Sequence, residues 1–192
     1  SDSYGIAAVG TYVPRRRITA EAVTDAWNRF DGAGITETAV PGPDEDSLTM
    51  AAVATRRALE ASDVDATEIT ALSFATTTPP LEEADLSVRL GEFLGVGDDA
   101  TRTLLTGSTN AGVRALTSTL AERDGPALVV ASDMPRGEPD SAIDHATGAG
   151  AAAFVLAADA PATIRERADH AADYPGTRFR ERGSTTVDSL DI

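Results

Sequence analysis

The chain has 192 residues, 42% of them hydrophobic, and 31 acidic side chains against 16 basic ones give a formal net charge of −15, which is enough apolar content for one core and too moderate a charge excess for disorder. Every basic residue is Arg and lysine is absent; a carboxylate-rich surface stays hydrated when salt screens its self-repulsion, which points to a high-salt cytoplasm and away from nucleic acid, whose phosphates need clustered positive charge. No cysteine occurs, which excludes disulfides, cysteine zinc sites and thiolate catalysis by this chain, and no run approaches the roughly 20 apolar residues of a membrane span, so a soluble cytoplasmic protein is expected.

In chain order, Tyr4 to Val13 is a short apolar stretch closed by Pro14, and a helix follows from Thr19 to about Phe30. The segment GAGITETAVPGPDED reads as loop, and its acids lead into a second helix, about Glu45 to Ser62, on which Leu48, Ala51, Ala52, Ala58 and Leu59 share a face. Ile69 to Ala75 reads as a buried strand broken by TTTPP, Ala84 to Leu94 as a helix ended by Gly95, and Thr101 to Thr106 as the next strand. The following helix, about Asn110 to Glu122, carries small or apolar residues on nearly every side, which predicts a buried helix. Pro126 to Ser132 and Gly148 to Ala158 complete a series of near-continuous apolar runs alternating with helices, the pattern of an α/β layered fold with a central sheet covered on both faces. Residues 1–160 form this unit; 161–192 read as a polar loop or linker toward a missing second half or partner.

The motif order, GTYVPRRRI, PGPDEDSLTMA, STNAGVRAL, ASDMPRGEPDSA and TGAGAAAFVL, resembles the N-terminal half of the archaeal hydroxymethylglutaryl-CoA synthases of the thiolase superfamily. YPGTRFRERG, residues 174–183, resembles the loop that follows that half. The resemblance implies a thiolase-like half-domain in which a central mixed sheet is flanked by helices and the helix after Asn110 lies in a buried middle layer. It also implies partners: a homodimer, or a complex with a thiolase-type or zinc-ribbon and OB-fold protein.

In the family, a Cys at the helix corner accepts the acetyl group of acetyl-CoA. The resemblance places Thr109 at that Cys position, Asn110 at the following Lys position, and Thr77 at the position of the Glu that serves as general acid/base. A thiolate attacks thioesters near neutral pH, whereas a Thr hydroxyl stays protonated and needs an adjacent base. Ser108 is a second candidate alcohol nucleophile, although Ser and Thr at a helix start ordinarily cap it. Gly107 and Asn110, by their backbone N–H groups, and Arg178 and Arg180, by guanidinium groups that suit phosphates, are the candidate coenzyme A contacts. Glu82 and Glu83 fit solvated surface acids or first-turn acids, and His145 a structural histidine, better than catalytic groups. His145 and His170 without cysteine predict no metal site, and no covalent cofactor is expected, with a coenzyme A thioester as ligand. The expectation is a degenerate, acyl-CoA-binding or scaffolding domain; the alternative is an active acyl-CoA condensing enzyme that uses an unorthodox nucleophile or a catalytic partner.

Overall fold

The computed structural model describes residues 4–189 other than 123, 167, 169, 171 and 173–177, so part of the 174–183 motif lies outside the described residues. The chain divides into two compact units.

The larger unit comprises residues up to 13, 45–133 and 150–166. Its sheet contains β1 (Gly5–Tyr12), β4 (Ala71–Ala75), β5 (Thr101–Leu105), β6 (Ala127–Asp133), β7 (Gly150–Ala157) and β8 (Ala162–Thr163), in the order β5-β4-β6-β7-β1-β8. β4 pairs in parallel with both β5 and β6, while β6 with β7 and β7 with β1 are antiparallel. The chain leaves β4 through α3 (Leu86–Leu94) to β5, then crosses back through α4 (Ala111–Glu122) to β6 on the other side of β4. Right-handed crossovers in opposite directions put the two helices on opposite faces, and α2 (Ser47–Glu60) packs beside α3.

α2 forms because Asp46 and Thr49 close a capping box around its first turn and because small and apolar residues recur at helical spacing. Eight of its fourteen residues are buried. The contact with β1 is so close that a Cβ on Gly10 would lie 2.1 Å from the Ala54 carbonyl oxygen. Tyr12 beside it donates its hydroxyl to Glu45, and its ring lies under the Arg57 guanidinium.

α4 departs from the expectation of burial on every side. Only Ala111, Ala115 and Thr119 are buried, and Val113 is 59% exposed. Ala111 and Ala115 pack with Ala75, Val129 and Leu156, but within this unit one layer alone covers the helix. Val9, which stands opposite Phe154 on β7, is 49% exposed. Its neighbour Gly10 points at α2, so strand alternation puts Val9 on the α4 side.

The smaller unit comprises residues 14–44, 134–149 and the described residues after 166. β2 (Arg16–Thr19) and β3 (Glu37–Val40) form an antiparallel pair, so the stretch expected to be loop contains a strand. The pairing overrides its Gly and Pro content: Arg17 meets Glu37 at 3.3 Å, and the Ala39 carbonyl accepts the N–H of Ala149. α1 (Ala20–Trp27) starts at Thr19, whose hydroxyl accepts the N–H of Ala22, and stops at Asn28 in the left-handed region. A short helix, α5 (Ala142–Ala146), is capped by Ser141.

Candidate functional site

β5, β4 and β6 run in one direction and β4 is the strand at which the winding reverses, so the loops leaving their carboxyl ends share one edge. Such reversal points are where α/β sheets hold ligands. The parallel register pairs Ala75 with both Leu105 and Ala131, and the N–H of Thr76 continues the ladder to the Leu105 carbonyl at 3.0 Å. Two residues further on, Thr77 comes level with Asp133.

Asp133 organises that level. Its Oδ1 accepts the Thr77 N–H at 2.6 Å and the Thr77 hydroxyl at 2.9 Å. It also accepts the Thr76 hydroxyl at 3.2 Å and both the N–H and the hydroxyl of Thr78 at 3.1 Å. Five donors converge on one oxygen, which ties the turn after β4 to the end of β6. Ser47, at the start of α2, donates its buried hydroxyl to the Thr78 carbonyl at 2.8 Å and fixes the turn from the other side. The Thr77 hydroxyl, at the expected acid/base position, is thus a donor already committed to a carboxylate.

The second corner is built differently. Gly107 has φ +76°, a left-handed conformation that side chains resist, and it turns the chain out of β5. Ser108 accepts the N–H of Asn110 on its hydroxyl at 3.2 Å and the N–H of Ala111 on its carbonyl at 3.0 Å, so its side chain organises the entry into α4. Thr109 and Asn110 are exposed. Among the described residues no base approaches the Thr109 hydroxyl within hydrogen-bond distance. Two of the N–H groups that could face an acyl oxygen, those of Asn110 and Ala111, are occupied within the turn.

The topology therefore brings Thr77, Gly107, Ser108, Thr109 and Asn110 to one sheet edge. Arg178 and Arg180 lie in the smaller unit, both exposed, on either side of Phe179, which pairs with Asp188. Sequence reasoning missed Asp133. It ends the apolar run ALVVASD as an ordinary strand-terminating acid, and only the parallel register, offset by 56 residues between β4 and β6, reveals that it faces three threonines.

No family model matches the chain. It is 29% identical to a hydroxymethylglutaryl-CoA synthase of Archaeoglobus fulgidus over 89% of its own length and 52% of that protein's. It is 30% identical to the synthase of Thermococcus gammatolerans over 83% of its own length and 47% of the relative's. A solved hydroxymethylglutaryl-CoA synthase complexed with CoA superimposes with a TM-score of 0.85, at 18% identity over 98% of this chain and 50% of that one. The architecture is that of a thiolase-fold half-domain. Within that class the chain is hydroxymethylglutaryl-CoA-synthase-like, and it spans about half the length of the relatives it matches.

Proposed function

We propose that this chain is a catalytically degenerate hydroxymethylglutaryl-CoA-synthase-like domain that binds an acyl-CoA thioester without becoming acylated. The observation that carries this reading is the Thr77 hydroxyl donated to Asp133 at 2.9 Å. The position that needs a proton-transferring carboxylate holds a structural alcohol, while the nucleophile position holds an exposed alcohol with no base beside it among the described residues. Without a thiolate, acyl transfer at the second corner lacks its activated nucleophile. Binding is supported by the ligand in the solved relative's complex with CoA, and Arg178 and Arg180 suit the phosphates of such a ligand. A partner completes the proposal: a second copy, or a thiolase-type or zinc-ribbon and OB-fold protein, covers the half-open α4 face where Val113 and Val9 are exposed.

The test is incubation of the purified protein with labelled acetyl-CoA in molar salt, followed by intact-mass analysis and equilibrium dialysis. Retained coenzyme A without an adduct is expected. An acetyl adduct on Ser108 or Thr109 that turns over overturns the reading. Sedimentation under the same conditions is expected to show a dimer, or a monomer that associates when the partner is added.

One observation favours an active enzyme: Thr77 and Asp133 have the separation of a nucleophile and its base. That Oδ1 already accepts four other donors, and a carboxylate is a far weaker base than the alkoxide it would have to generate. An acyl ester mapped to Thr77 would restore this reading.

A further inference from the structure

The smaller unit contains a buried ionisable group that the proposed function does not use. His145, on α5, is 3% exposed. Its Nδ1 accepts the backbone N–H of Asp31 at 3.1 Å, so Nδ1 carries a lone pair and the ring hydrogen sits on Nε2. Nε2 has no hydrogen bond within normal limits, and Asp140 Oδ1 stands 3.4 Å from it. The ring stacks on Phe30, with centroids 5.3 Å apart and planes 19° from parallel.

The segment that follows α1 is seated on this ring. A Cβ on Gly32 would come within 3.0 Å of the His145 carbonyl oxygen and closer still to the Phe30 ring, so the backbone approaches α5 as only glycine permits. Arg29 anchors the other end, with Nε 3.0 Å from both Asp140 carboxylate oxygens, a further bond to the Asp140 carbonyl, and Asp31 at 3.7 Å. The Asp140 carboxylate holds the Arg29 guanidinium charged, first by the hydrogen bond and then by its charge. Phe30 and His145 also line one cavity of about 310 Å³, together with Val23, Val40 and Met134; Glu37, Arg136 and Asp144 are the other charged residues of its wall.

We propose that His145 is a proton-operated latch: its neutral imidazole seats the 28–32 segment, and protonation unseats that segment and reshapes the cavity that Phe30 and His145 line. A proton arriving on Nδ1 places an N–H against the N–H of Asp31, so an accepting contact becomes two opposed donors. The other groups around the ring do not replace the lost acceptor. Asp140 faces Nε2, which bears hydrogen in both states, and its attraction for the imidazolium draws the ring to its own side. Arg29 is a donor, and Asp31 meets the ring through its backbone.

Nuclear magnetic resonance on the whole chain tests the proposal by following the imidazole nitrogens and the Asp31 amide across pH 8 to pH 5, roughly the histidine range. The neutral ring is expected to carry hydrogen on Nε2, and exchange protection of the Asp31 amide is expected to fall about tenfold beyond the intrinsic pH effect, with the midpoint of the His145 titration. His145→Gln offers an oxygen acceptor that does not titrate, so it should keep the protection and lose the pH response, whereas His170→Gln should retain both. Hydrogen on Nδ1 in the neutral ring, or protection that is indifferent to the His145 titration, overturns the latch. Should His145→Gln not fold, the coincidence of the two wild-type midpoints decides.

Discussion

Two corners at the same sheet edge are built on opposite plans. In the turn after β4, the hydroxyls of Thr76, Thr77 and Thr78 all reach Asp133, and Ser47 holds the carbonyl behind them. In the turn after β5, Ser108 makes local bonds and Thr109 stands in solvent. The same side-chain type thus serves as a structural donor in one corner and as an uncommitted surface group in the other. A hydroxyl in a site takes its role from the acceptor it finds. By that standard the first corner is a joint of the scaffold, and the second is the place where new chemistry would cost the fold least.

Asp133→Ala breaks the contrast most forcefully. It leaves several half-buried donors without an acceptor, and a loss of about 2–3 kcal/mol in unfolding free energy is expected from denaturant melts in molar salt. Asp133→Asn keeps an accepting oxygen and should cost about 1 kcal/mol. Gly107→Ala tests the second corner through its backbone. A Cβ there meets nothing within 4 Å, so the cost is strain at φ +76° alone, about 1 kcal/mol in the same melts. Thr109→Cys should change stability by less than about 0.5 kcal/mol, yet yield a thiol that alkylates readily and takes up acetyl label from acetyl-CoA; a buried, unreactive thiol would show that this corner is closed. Asp65, in neither corner, supplies the smallest effect. Hydrogen bonds from the Thr67 hydroxyl and then the Thr67 N–H hold its carboxyl below the ordinary aspartate value of 3.8. Its contribution is therefore complete above that value and lost as pH falls through the lowered one, a shallow acid-side slope in melting temperature that Asp65→Asn should remove.

Much of the fold was readable before any coordinates. Apolar runs placed β4, β5, β6 and β7 within two residues of their ends, Thr19 and Gly95 stood at helix boundaries, and the acids before α2 put its start at about Glu45, one residue from the Asp46 cap. β3 was not readable, because Glu37–Val40 is short, half polar and stabilised by β2 rather than by its own propensity. The open flank of α4 was hidden for a related reason: composition reports how apolar a helix is, while its burial depends on whatever packs against it. Within the candidate site, the alcohols were visible as residue types at recognisable places. What they bond to was not, since Asp133 reaches Thr77 only through a parallel register that no local pattern records. His145 was read as structural, and its partners come from a loop more than a hundred residues away in sequence.

The antiparallel match of β1 with β7 joins Gly5 to Ala157 and Tyr12 to Ala151. During synthesis, β1 leaves the ribosome well before β7 and waits for it before it gains that partner. Until then its apolar side and the Gly10 groove for α2 have no settled neighbour on the β7 edge. Closing so distant a pair late makes folding slow relative to a helical chain of this length, and it makes the interval before closure the period in which chaperones matter most.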